Sequence, residues 1–255
     1  MRQYIRFKEA WNYFSSLSLD EEKQNCKIED FSRLNCIRRI YIKCSKKYIL
    51  DWELLDERRL VFAVAKVSMN NNDEYHLRMV KTLYNSLTGQ REQNEPDWVK
   101  IGFQTQEFKS DLRSVGMFAI LQALAFTDRL TAYSHEIFDF AQRDGLGFPL
   151  MLVLINLTYS TLCSLREGYL IPFCNSKKSV INTLNEFYFG LVAYFLTIYK
   201  STGCIYDNIN YLLKEIKKVS EENTHLIFDI ADKLLIKYPY IKDSMSLEVE
   251  NSSFK

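Results

Sequence analysis

Residues 98–124 read WVKIGFQTQEFKSDLRSVGMFAILQAL. The first half is polar and turn-rich, and the second half is an apolar run that opens at Gly116 and carries Leu121 and Leu124 at helical spacing. A loop of this kind delivered onto a buried helix makes the stretch the hinge of the whole reading. Gly102 permits a tight turn or a close approach of backbone. Trp98 and Phe103 are expected to bury as anchors for that turn.

Helical periodicity extends in both directions from this point. Upstream, Leu77, Val80, Leu83, Tyr84 and Leu87 form one stripe that Gly89 terminates, after the turn Asn70-Asn71-Asn72-Asp73. Tyr4, Phe7, Trp11 and Phe14 share a face in a first helix over 3–17, and Asp20 caps a second that runs to Cys44. A third is expected over 50–67. Downstream, helices are expected over 133–142, 148–167, 176–199, 207–219 and 223–237, with no strand-like alternation to compete. The fold class is therefore all-α, a single helical domain of about eight to ten helices.

Composition agrees with long helices. Of 255 residues 47% are hydrophobic and 14% aromatic, while only eight Gly and four Pro are present. Such a chain carries enough apolar surface for a sizeable core. Thirty-three basic residues against thirty-two acidic ones leave a net charge of +1, so no overall field draws the protein to nucleic acid or anionic lipid. Charged recognition has to be local. Arg38, Arg39, Lys43, Lys46 and Lys47 suit the end of the second helix, with a basic patch for lipid or a partner as the alternative reading.

Several chemistries find no support. The cysteines Cys26, Cys36, Cys44, Cys163, Cys174 and Cys204 include no C-x-x-C pair, which suits reduced thiols in a cytoplasmic protein. His76, His135 and His225 include no i, i+4 pair, so no zinc site and no other metal is expected. There is no G-x-x-x-x-G-K-[ST] loop, G-x-S-x-G elbow or H-E-x-x-H helix. The uncharged stretch 145–165 has the length of a membrane span. It carries Pro149, Asn156, Thr158, Ser160, Thr161 and Ser164, however, and is read as a buried central helix.

The pattern of Trp98, Gly102-Phe103-Gln104, Asp111 and Arg113, followed by Gly116, Leu121 and Leu124, resembles the signature of the ELMO domain family, small ELMOD type. The resemblance covers about half of the chain. It divides the chain into an N-terminal helical segment over 1–72, an ELMO-like domain over 73–199, C-terminal helices of the same body over 200–242 and a loose tail over 243–255. The family pattern usually has a proline three residues before the aspartate and Phe and Gly on either side of the arginine. This chain has Phe108, Leu112 and Ser114 there.

Members of the small ELMOD type are known as GTPase-activating proteins for Arf and Arf-like GTPases. The resemblance thus implies that Arg113 is a catalytic arginine finger acting in trans, with Gln104, Gly102, Asp111, Phe103 and Trp98 as supporting or partner-binding residues. The alternative for Arg113 is a structural salt bridge that pins the loop. For Asp111 the roles are a helix cap or a partner that orients the guanidinium, and for Gln104 a loop hydrogen bond or a touch on the GTPase. No cofactor is expected in the chain itself, since GTP and Mg belong to the partner GTPase. A nucleic-acid partner and a transmembrane span are not expected. Vesicle trafficking or the cytoskeleton is the implied setting, cytoplasmic or peripheral to membranes or microtubule-associated structures. The alternative function is a non-catalytic helical interaction module that binds an Arf-like GTPase or an exchange-factor scaffold.

Overall fold

A computed structural model of the chain describes residues 4–24, 45–90, 96–203 and 205–240. Among them are eleven α-helices and no strand. They are α1 (Phe7–Ser16), α2 (Asp20–Gln24), α3 (Leu55–Val64), α4 (Glu74–Thr88), α5 (Gly116–Arg129) and α6 (Thr131–Ala141). After these come α7 (Leu150–Arg166), α8 (Ile171–Lys177), α9 (Val180–Ser201), α10 (Ile209–Glu222) and α11 (Thr224–Lys237). The segment read from the sequence as one helix over 176–199 begins only at Val180. A separate α8 precedes it, and the two part at Lys178, whose φ of 53° is left-handed. The second helix is described only as far as Gln24, so its continuation to Cys44 and the loose tail from 243 lie outside the described residues.

The centre of the body is built from the helices that are apolar on every side. In α5 every residue from Gly116 to Thr127 is buried, and α7 and α9 hide most of their surfaces as well. α9 packs on α3, α5, α7, α8, α10 and α11, and α5 packs on α1, α4, α6 and α7. The fully buried Gln122 ties the two centres together by donating from Nε2 to the carbonyl of Leu184 at 3.3 Å. α7 contains most of the uncharged stretch singled out in the sequence. Its Thr158, Ser160 and Thr161 hydroxyls return to carbonyls four residues earlier, which satisfies them inside a protein core. No helix among the described residues is long and apolar enough to cross a membrane.

Amphipathic helices cover this centre. α4 starts at Asp73, whose carboxylate accepts from the amides of Tyr75 and His76, and buries Met79, Val80, Leu83, Tyr84 and Leu87. α1 buries Ala10 and Phe14 and receives its N-terminal support from α5, where Asp128 accepts from the Phe7 amide at 3.4 Å and pairs with Arg6 at 3.1 Å. α9 is started in the same long-range way. Glu57 of α3 accepts from the amides of Val180 at 2.6 Å and Ile181 at 3.1 Å and from the Ser179 hydroxyl at 3.1 Å. Cys163 and Cys174 are buried free thiols, and burial pushes the Cys174 thiol up to about 12, which suppresses thiolate chemistry.

Candidate functional site

Between α4 and α5 the described chain 96–115 forms a surface loop made of two 3-10 turns, Trp98–Ile101 and Phe108–Ser110. Aromatic packing fixes it to the body. Trp98, half-buried, meets the edge of Tyr84 at 5.7 Å and of Phe108 at 5.1 Å, while Phe103 lies 4.5 Å from Phe108. Phe103 and Phe108 are both buried, so the position where the family usually has proline here carries a core anchor.

Gly102 sits at the tightest point of the loop. Its φ is +97°, and a Cβ placed on it lies 2.2 Å from the backbone nitrogen of Leu150. That closeness lets the Gly102 carbonyl accept from the Leu152 amide at 3.1 Å, which satisfies one of the unpaired donors in the first turn of α7. Polar side chains then close the loop on itself. Asp97 accepts from the Val99 amide at 3.2 Å and from Gln106 Nε2 at 2.6 Å, and Gln106 Oε1 in turn accepts from the Trp98 amide at 3.2 Å.

Asp111 accepts from the Gln104 amide through Oδ2 at 2.8 Å, so its carboxylate joins the two halves of the loop. Of Gln104, then, the backbone rather than the side chain carries the loop contact, and the residue itself is exposed. Of the next four residues the outer two are buried and the inner two exposed: Leu112 is 2% exposed and Val115 is fully buried, whereas Arg113 and Ser114 face solvent. Two apolar pegs therefore hold a short turn whose crest is Arg113. Its Nε donates to the Ser110 carbonyl at 3.0 Å. Among the described residues its two terminal amino groups have no hydrogen-bond or ion-pair partner, so the salt bridge considered from the sequence is not formed there.

The crest is also fixed from below. Gly116 has φ of +52°, and its position leaves a Cβ 2.6 Å from the Val67 carbonyl oxygen and 2.7 Å from that of Ala65. The adjoining Met117 amide donates to the Val67 carbonyl at 2.9 Å. The segment that leaves α3 and the turn that enters α5 are thus locked side by side, and Lys66 and Ser114 line one cleft. Sequence reading did not single out Lys66, Arg166 or Gln106. The contacts of Gln106 with Trp98 and of Arg166 with Phe62 join residues 8 and 104 positions apart, and no local pattern carries that information. Among the described residues no group of three or more His, Cys, Asp or Glu side chains is placed to hold a metal ion.

A helical body that presents one loop of this composition matches a known class of domain. The sequence pattern of the ELMO/CED-12 family matches residues 59–213, and the chain belongs to that family. It is similar to ELMO domain-containing protein 3 of Homo sapiens, 26% identical over 245 residues that cover 92% of this chain and 62% of the relative. The Bos taurus protein of the same name is 26% identical over 243 residues, covering 91% and 62%. ELMO domain-containing protein 2 of Homo sapiens is 29% identical over 110 residues, covering 41% and 38%. The chain spans less than two thirds of the length of these curated relatives. No solved structure matches it.

Proposed function

We propose that this protein stimulates GTP hydrolysis on an Arf-family small GTPase by inserting Arg113 into the partner's nucleotide site. The observation that carries this reading is the presentation of Arg113: exposed, its guanidinium held among the described residues through Nε to the Ser110 carbonyl, and seated between the buried Leu112 and Val115. Anchoring at Nε fixes the direction of the guanidinium and leaves the terminal fork for two oxygens of a ligand. Holding the base of the side chain in advance reduces the ordering needed at the encounter.

Chemically, the transferring phosphoryl group accumulates charge on its equatorial and leaving oxygens. A cation delivered there stabilises the transition state more than bound GTP. A finger supplied in trans contributes roughly 10³ to 10⁵ in rate, or about 4 to 7 kcal/mol of barrier. GTP, Mg and the attacking water belong to the GTPase, and no further catalytic group is required from this chain. Gly102, Phe103, Asp111 and Trp98 act by keeping the crest in place, and the exposed Gln104 faces the partner beside it.

The test is phosphate release from GTP-loaded Arf and Arf-like proteins in single-turnover format. Stimulation by the wild type that Arg113→Ala removes supports the finger, and equal stimulation by both rejects it. A second reading, a binding module without catalysis, draws on Ser114, which adds a side chain beside Arg113 where the family pattern usually has glycine. Binding of the GTP-loaded partner with no acceleration of hydrolysis is its signature.

A further inference from the structure

A cleft of about 540 Å³ lies along the first half of α9, between α1, α5 and the end of α11, and none of the residues that line it belongs to the loop 96–115. Phe7, Phe189, Leu235 and Tyr240 give it apolar walls, and Tyr240 is 47% exposed. Asn182 and Asn185 stand three residues apart in α9, so they share a helix face, and both line the cleft. Asn182 is exposed, whereas Asn185 is only 6% exposed.

Asn185 is the residue that internal packing does not account for. Its Oδ1 is buried with no hydrogen-bond partner among the described residues, and its Nδ2 donates to none of them. A buried amide left unpaired lowers stability, whereas an apolar side chain of similar size at the same place does not. The charged side chains of the cleft are, by contrast, all engaged. Lys177 pairs with Glu186 and Asp128 with Arg6, while Arg129 donates to the Tyr238 carbonyl at 2.9 Å and lies over the Tyr240 ring. The cleft therefore offers carboxamide groups and apolar surface without surplus charge of either sign.

We propose that this cleft binds a short extended peptide segment of a partner protein, which pairs its backbone with the Asn185 and Asn182 carboxamides and lays an apolar side chain against the aromatic walls. A carboxamide presents a donor and an acceptor side by side, the same pair that a peptide main chain offers in reverse. Because the charges of the cleft are matched internally, they give an acidic or a basic motif no advantage, and the occupant is uncharged where it enters. The volume lies within the roughly 300 to 1,000 Å³ of small-ligand sites, which suits a few extended residues and not a folded element. Main-chain hydrogen bonds then supply affinity and the apolar pocket supplies selectivity. The site shares no residue with the arginine loop, so it stands whether or not Arg113 acts as a finger, and both surfaces can be occupied at once.

Panning a phage-displayed library of random linear dodecapeptides on the full chain tests the site. Selected peptides are expected to share an apolar anchor and to keep their affinity when their charged side chains are replaced by alanine. In fluorescence anisotropy with a labelled selected peptide, Asn185→Leu is expected to weaken binding about tenfold or more and Asn182→Ala by a smaller factor, with Arg113→Ala at the wild-type level. Asn185→Leu is also expected to raise the denaturant midpoint, since it removes an unpaired amide from a buried position, whereas an amide that serves only the fold gives the opposite sign. Enrichment of no peptide overturns the site, as do selected peptides that bind both asparagine variants as tightly as wild type. Selected peptides that lose their affinity with their charges, or a lowered midpoint in Asn185→Leu, overturn it equally.

Discussion

The amide of Leu152 donates to the carbonyl oxygen of Gly102 at 3.1 Å, so the loop that carries Arg113 is bonded to the first turn of a helix buried in the core. The loop is part of the rigid body by this contact. Replacing Gly102 by alanine drives a methyl group into the Leu150 backbone and forces an L-residue into the left-handed region. Gly102→Ala is expected to destabilise the domain by about 3 kcal/mol, read from the denaturant midpoint, and to lower stimulated hydrolysis even at temperatures where the variant is folded. A variant with wild-type stability contradicts the described backbone.

Asp111 receives the Gln104 amide, and its removal tests whether the crest needs that tie. Asp111→Ala leaves an exposed amide that water can solvate, so the cost in global stability is expected to be about 1 kcal/mol or less. The loss in stimulated hydrolysis is expected to exceed it, because the crest loses its fixed direction. Asp111→Asn, which keeps an oxygen acceptor, is expected to recover most of the activity. Equal activity in Asp111→Ala and wild type removes the positioning role.

Glu57 starts α9 from a distance of more than a hundred residues, accepting from the Val180 and Ile181 amides. Glu57→Ala exposes unpaired donors at the head of the central helix and is expected to cost about 1 to 3 kcal/mol in unfolding free energy. The site lies elsewhere, so the maximal rate of stimulated hydrolysis at a permissive temperature is expected to stay at the wild-type level.

Acid is expected to act on the junction of α1 and α4. Burial pushes the His76 imidazole below its ordinary value and outweighs the attraction of Asp73, whose Oδ2 lies 3.9 Å away. The unfolded chain thus takes up a proton as pH falls below 6.5, before the folded one does, and stability declines from there. Asp73 adds a second, lower window. Burial raises it, but the Tyr13 hydroxyl at 2.5 Å and the His76 and Tyr75 amides hold its carboxyl below the ordinary 3.8, so its contribution is complete above that value and is lost below it. Melting temperatures that fall from about pH 6.5 in wild type and stay level to about pH 5 in His76→Gln support this account, and parallel curves contradict it.

The helical architecture was legible because most helices here are amphipathic or wholly apolar over ten or more residues, and 3.6-residue spacing survives at that length. α4 is the clearest case, ending at the Gly89 read from the sequence. The division between α8 and α9 was not legible, since Lys178 adopts a left-handed conformation with neither glycine nor proline at the break. Pro172 in the first turn of α8 was the available signal. At the site, composition located the loop and resemblance singled out Arg113. Neither reveals that Asp111 bonds to Gln104, that Gln106 closes the turn on Asp97, or that Lys66 and Ser114 line one cleft. Those relations depend on how separate segments meet, which a one-dimensional pattern does not record.

Replacing the crest itself tests the account most directly. Single-turnover phosphate release from a GTP-loaded Arf-family protein, measured at saturating wild type, Arg113→Ala and Arg113→Lys, compares the guanidinium fork with no cation and with a point charge. The account predicts a fall of roughly a thousandfold or more for alanine, only slight recovery for lysine, and retained binding of the partner in both. Stimulation by Arg113→Ala equal to that of the wild type contradicts it.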